Sequence, residues 1–236
     1  SLVTLLENCG QNLESLSLTR LDGLNSKPVL DLLPHFLTNL KNLDLSSPHD
    51  ENLIDDELII NLLAINSETL ESIKLDGCSG LTDKFLIDGL KPFGSNLTAI
   101  SLGELDQITD NGVSELFNDW SINSGLLEIN LSRCIQLTDA SILKALNHSR
   151  ESLVELNLNS VNDITNTLFK KLSRSLELPL LTNWNLSFVR CVDDSTLAII
   201  SRICPSLSIL EVYGNNKCTN NAITRNGLTI IGRQSD

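Results

Sequence analysis

Apolar and polar positions along this chain recur in one fixed order, clearest from Leu126 to Leu143, LLEINLSRCIQLTDASIL. Leu126, Ile129 and Leu131 follow an L-x-x-L-x-L spacing with mostly polar residues between them, which predicts a short strand with one buried face. Cys134 stands three residues past Leu131, Leu137 six past it and Asp139 eight past it, just before an apolar run of helical period. Thr138-Asp139 reads as a helix start, because a short polar side chain can accept from the free N–H groups of the first turn. The unit is strand, loop, cap and helix.

The strand pattern occurs eight times, starting at Leu13, Leu40, Leu70, Leu97, Leu126, Leu153, Leu181 and Leu207, at intervals of 27, 30, 27, 29, 27, 28 and 26 residues. A period of roughly 20–29 residues with this strand is the signature of leucine-rich repeats. It predicts an α/β solenoid, a horseshoe with a parallel sheet on its concave side and helices on its convex side. One repeat cannot bury its own apolar face, so the core forms by stacking. Helices are expected from Asp83, Asp110, Asp139 and Asp194, each read as a cap, with Asn166 and Asn220 in that place before TLFKKL and AITRNGL. Pro92 and Pro205 are placed after the helices of their repeats. Residues 2–9 read as the end of a helix whose repeat begins upstream, so residues 1–212 form an array that continues from an earlier region. The second repeat holds about three extra residues around SSPHDEN, which predicts a bulged loop. Residues 213–236 read as a degenerate last repeat and C-terminal cap, in which LTII is a final strand or a helix end.

Composition refines this picture. The chain is 41% hydrophobic but only 4% aromatic, so its core is aliphatic. The net charge of −13 lies wholly in residues 1–118, with 19 acids against 6 bases; residues 119–236 hold 11 of each. An acidic surface repels phosphate, so direct nucleic-acid binding is not expected. No run of 18 apolar residues exists, and SLVTLLENCG lacks the basic start of a signal peptide, so no membrane association is expected. The six cysteines form no C-x-x-C pair, and Cys78 and Cys134 share one repeat slot, where a small apolar group packs well. Free structural thiols favour an intracellular protein.

Nothing in the repeats carries enzyme chemistry. His35, His49 and His148 lie in three repeats without metal-ligand spacing, and no phosphate loop, dinucleotide motif or nucleophile elbow is present. The expectation is a protein that is not an enzyme and holds no metal or cofactor. Asp193-Asp194 resembles a carboxylate pair, but Asp194 falls in the cap slot. Function then belongs to the surfaces. Side chains between the core leucines face the concave side, among them Glu128, Asn130, Glu155, Asn157, Asn185 and Ile209. That face is polar and mildly acidic, with Lys74 its one base, and suits a basic segment of a partner. Two residues past each last strand leucine comes a second row, in which Phe188 is exposed. Arg133, Phe188, Arg190 and Tyr213 form a candidate contact patch, because exposed aromatic and Arg side chains are typical anchors. Lys170, Lys171 and Arg174 share a helix face that is solvated or meets an acidic partner, and Trp184 fills a core leucine slot.

The segments LDGCSGLTD (75–83), LGELDQITD (102–110) and LSRCIQLTD (131–139) resemble the cysteine-containing subclass of leucine-rich repeats, frequent in intracellular substrate adaptors. LEVYGNNKCT (210–219) and GLTIIGRQSD (227–236) look like the end of the fungal RAD-type leucine-rich-repeat subunit of global-genome nucleotide excision repair. That resemblance implies a non-catalytic recognition scaffold in the nucleus, working with a Snf-type ATPase that carries a RING finger. It also implies a contact to elongin and cullin through the region before residue 1, and brings no catalytic residue. The alternative is a substrate-adaptor subunit of a cullin-type ubiquitin ligase unrelated to repair.

Overall fold

The three central residues of each L-x-x-L-x-L segment form a strand whose middle side chain enters the core and whose neighbours face out. The computed structural model describes residues 2–20, 26–48, 53–175, 177–220 and 225–233. Among the described residues nine strands join in chain order into one parallel sheet: β1 (Ser15–Ser17), β2 (Asn42–Asp44), β3 (Ser72–Lys74), β4 (Ala99–Ser101), β5 (Glu128–Asn130), β6 (Glu155–Asn157), β7 (Asn183–Asn185), β8 (Ile209–Glu211) and β9 (Thr229–Ile231). The register never slips, so Leu16, Leu43, Ile73, Ile100, Ile129, Leu156, Trp184, Leu210 and Ile230 lie in one row. Trp184 takes its leucine slot as expected and is 1% exposed. Of the two readings of LTII the structure contains the strand, in which the half-buried Ile230 continues the inward-facing row past Leu210.

The convex layer is made of α1 (Leu2–Cys9), the short α2 (Lys27–Leu30) and α3 (Leu33–Phe36), α4 (Asp56–Ile65), α5 (Asp83–Phe85) and α6 (Lys91–Phe93) joined by a π turn over Leu86–Leu90, α7 (Asp110–Phe117), α8 (Asp139–Ser149), α9 (Asn166–Ser175) and α10 (Asp194–Ile203). Pro92 lies inside this layer, within α6, and not after the helix. Its missing N–H and bulky ring break the ordinary hydrogen-bond ladder, and the wider π turn just upstream absorbs the mismatch. Pro205 does follow α10. The expected loop bulge at SSPHDEN and the helix at AITRNGL fall largely on residues 49–52 and 221–224, outside the described residues.

Asp83, Asp110, Asp139 and Asp194 do not cap their own helices. The cap is the residue before: the hydroxyls of Thr82, Thr109 and Thr138 accept from Lys84, Asn111 and Ala140 N–H, and the carboxylates of Asp55 and Asp193 accept from Leu58 and Thr196 N–H. Asp194 is thus the first helical residue, one place past the cap. That position points each following carboxylate at the next repeat. Asp56 accepts from the backbone N–H and hydroxyl of Thr82, Asp83 from Thr109, Asp110 from Thr138, Asp139 from Thr165 and Asp194 from Thr219, at 2.5–2.9 Å. Each link is charge-assisted and stronger than a neutral hydrogen bond. The T-D dipeptide is a clamp between repeats.

The Cys slot does similar work below the sheet. Cys78 and Cys134 are fully buried, and each thiol donates to the carbonyl of the last strand leucine one repeat back, Leu45 at 3.4 Å and Leu102 at 3.1 Å. Asn215 holds that slot after β8 and donates to Leu186 O at 2.8 Å. All six cysteines are free. One continuous, mainly aliphatic core runs the length of the stack, with Trp184, Trp120, Phe85 and Phe169 among its largest buried side chains. Each buried Leu or Ile contributes about 1.5–3 kcal/mol.

Candidate interaction surface

Three rows face outward, one from each edge of the strand triplets on the concave face and one at its rim, from the residue two past the last strand leucine. In the first, Glu128 and Glu155 are register neighbours across β5 and β6, both exposed, and Asn183 on β7 donates to Glu155 at 3.0 Å. Ile209 follows on β8, where 36% of it is exposed.

The second row shapes the turn that leaves each strand. Asn130, Asn157 and Asn185 accept from the N–H two residues on, of Ser132, Asn159 and Ser187, at 2.9–3.0 Å. Asp44 does the same for Ser46 at 3.0 Å. Asn130 also donates to Asp76 at 2.8 Å and to Ser101 at 2.9 Å, and Asn185 to Glu211 at 3.1 Å. These side chains are held by the protein itself. A short amide or carboxylate at a strand end is the residue that can close such a turn.

The turn explains the rim. Arg20, Ser47, Gly77, Glu104, Arg133, Ser160, Phe188 and Gly214, two residues past each last strand leucine, all have φ between 54° and 74°. Such a conformation favours glycine and costs other residues about 1 kcal/mol or more. Its return is one more inter-repeat bond: Arg133 N–H donates to Asn159 O at 2.8 Å, Ser160 N–H to Ser187 O at 2.9 Å and Phe188 N–H to Tyr213 O at 2.7 Å. The same geometry turns the rim side chains outward.

Of the four patch residues, the structure brings Phe188 and Tyr213 together. Phe188 is 53% exposed with its ring over Gly214, where an added Cβ would stand 2.3 Å from the ring. Tyr213 is 46% exposed and lies against Gly232 in the same way, at 2.7 Å. Arg190 is exposed two residues past Phe188. Arg133 lies two strands away, where its guanidinium pairs with Glu104 at 2.9 Å. It lines a separate open pocket with Gly77, Asp106 and Ile135. Ile231, in the second row on β9, was not singled out by the sequence, because LTII carried two readings. Its 36% exposure adds an apolar side chain on the strand next to that of Ile209, directly before the Gly232 that Tyr213 covers. On the convex side Lys170, Lys171 and Arg174 are exposed along α9.

The buried thiols are unfit as nucleophiles. Burial pushes Cys78, Cys134, Cys204 and Cys218 up to about 12, and burial followed by the nearby Asp139 carboxylate pushes Cys191 to about 11. Among the described residues no group of three or more His, Cys, Asp or Glu side chains could hold a metal ion, and no helix is long and apolar enough to cross a membrane.

No protein-family model matches the chain. It is 42% identical to the DNA repair protein RAD7 of Saccharomyces cerevisiae, over 100% of this chain and 41% of that protein. It is 30% identical to the DNA repair protein rhp7 of Schizosaccharomyces pombe, over 99% of this chain and 40% of that one. The chain therefore spans about two fifths of the length of these curated relatives. A crystal structure of yeast Rad7 in complex with Elc1 superposes with a TM-score of 0.87 at 39% identity, over 98% of this chain and 57% of that one. The leucine-rich-repeat protein LegL7 of Legionella pneumophila shares the fold, with a TM-score of 0.54 at 19% identity over 84% of this chain and 64% of that one.

Proposed function

The chain belongs to the fungal Rad7-type leucine-rich-repeat proteins, and from that membership we propose that it is the recognition scaffold of a nuclear nucleotide-excision-repair complex. The relationship to two yeast DNA repair proteins, which runs over essentially the whole of this chain and about two fifths of theirs, carries this reading. The role is non-catalytic: the conspicuous Asp, Thr and Cys positions are engaged in clamping one repeat to the next, and the polar strand ends close turns. What remains outward is a large, rigid surface for proteins. The partner inferred from the family is a Snf-type ATPase with a RING finger.

Ubiquitin-ligase adaptor work is the second reading, favoured by the Elc1 complex of the yeast relative. An elongin and cullin contact would use the region before residue 1. Direct damaged-DNA binding is opposed by the acidic N-terminal half. The experiment is affinity capture of the co-expressed ATPase on residues 1–236. Retention through gel filtration supports the scaffold; no retention removes the proposed partner. A mobility shift with damaged duplex serves beside it, since tight binding that weakens steeply with salt would instead support the DNA reading.

A further inference from the structure

We propose that the concave face over β5–β9 is a docking groove for one extended segment of a partner protein. That segment carries two basic side chains followed, three or four residues later, by a large apolar one. The proposal rests on the scaffold reading and names the chemistry its partner presents.

The apolar end of the groove is the first ground. Ile209 on β8 and Ile231 on β9 are diagonal neighbours, with Tyr213 two residues past the end of β8, and each is between a third and a half exposed. Their strands belong to the concave sheet of a solenoid, the kind of extended surface that such folds use for binding. The polar end is the second. Glu128 and Glu155 sit directly opposite each other, about 4.8 Å apart as neighbouring strands are. Like charges so placed destabilise a sheet. Asn183 donates to Glu155 without adding charge, and Lys74 is two strands further on, at β3. A partner with two cations would relieve that repulsion and match the sign of the site.

Spacing joins the two ends. From β6 to β8 or β9 is two or three strand separations, roughly 10–14 Å, which an extended chain covers in three or four residues at about 3.3 Å each. A cavity of about 310 Å³ runs along the face from β3 to β8, and its lining includes Lys74 at one end, Glu128, Glu155 and Asn183 in the middle and Ile209 at the other. Its floor is preformed, because Asn130 and Asn185 are already bonded within the protein, so little ordering cost falls on binding.

The test is fluorescence anisotropy on residues 1–236 with a labelled synthetic peptide, two arginines followed after three serines by a leucine. Control peptides replace the arginines by glutamates or the leucine by serine. The Arg–Leu peptide is expected to bind and the glutamate peptide not to. Glu128→Gln with Glu155→Gln should weaken binding about tenfold and remove most of its salt dependence. Ile209→Asn should weaken it about tenfold with the salt dependence intact. Equal binding of the arginine and glutamate peptides, or variants that bind as the parent does, would overturn the groove, as would tighter binding of a single-stranded oligonucleotide. ATPase capture is scored on the same preparations. Capture without selective peptide binding removes the groove and leaves the scaffold reading; selective peptide binding without capture does the reverse.

Discussion

Replacing Asp110 by alanine tests the clamp between repeats at its most heavily bonded point. Its carboxylate accepts the Thr138 backbone N–H at 2.8 Å, the Thr138 hydroxyl at 2.5 Å and the Ser141 hydroxyl. A hydrogen bond to a charged group contributes about 1.5–3 kcal/mol net. The three share one acceptor group that is only half-buried, so water recovers part of the loss. The expected cost is about 2–3 kcal/mol, equivalent to about 5–10 °C in Tm for a chain of this size. Some of that belongs to the favourable end of the α7 dipole, about 0.3–1 kcal/mol. A double-mutant cycle with Thr138→Val subtracts it, and should leave a coupling of about 1–2 kcal/mol by urea denaturation. Asp110→Asn, which keeps one acceptor oxygen, should cost about 1 kcal/mol. Burial works to raise the Asp110 pKa, but the hydrogen bonds from Ser141 and Thr138 outweigh it and hold the group below its ordinary 3.8. Its folded pKa is depressed, so its contribution is full above the unfolded pKa and lost as pH falls through the folded one. The parent and Asp110→Ala should therefore converge in stability in acid. A cost under about 0.5 kcal/mol, or a coupling near zero, would refute the clamp and leave Asp110 as a helix-start residue.

Three further outcomes follow from the same geometry. In native protein at pH 8 the buried thiols of Cys78, Cys134, Cys204 and Cys218, raised to about 12, should resist a disulfide reagent until denaturant is added. Rapid titration of all six would contradict the packing. Gly214→Ala should cost about 1–2 kcal/mol in chemical denaturation, since its φ of 71° and the nearby Phe188 ring both oppose a Cβ; an unchanged midpoint would contradict that. Phe188→Ala with Tyr213→Ala should leave the circular-dichroism spectrum and Tm nearly unchanged while lowering partner affinity. Unchanged affinity with an intact fold would remove these aromatics from the contact surface.

The architecture was legible because its period is written in leucines: eight strands sit where the L-x-x-L-x-L spacing places them, and Trp184 packs as a leucine would. A ninth strand was ambiguous, since four apolar residues in LTII fit a strand and a helix end alike. The T-D dipeptide shows the limit of local reading. A cap and a first helical residue both favour short polar side chains, and only the neighbouring repeat reveals that Thr caps while Asp reaches across. Asn166 is the informative exception. In its repeat the Asp is an Asn, the following cap is Asp193 in place of Thr, and Thr196 bridges the two at 3.4 and 2.9 Å, so two carboxylates never face each other. Asn130, Asn157 and Asn185 read as free surface because alternation alone cannot show that a side chain is spent on its own turn. The outward rim was found by counting from the strand, but the backbone conformation behind it has no signature in residues as varied as Arg133, Ser160 and Phe188.

The scaffold reading stands or falls most directly on whether this chain holds the proposed ATPase. Residues 1–236, mixed with the purified Snf-type ATPase and run on a sizing column with light scattering, should co-elute as a stoichiometric complex. That complex should survive nuclease treatment and be lost with Glu128→Gln, Glu155→Gln and Ile209→Asn combined. Separate elution at concentrations well above the micromolar range would contradict it.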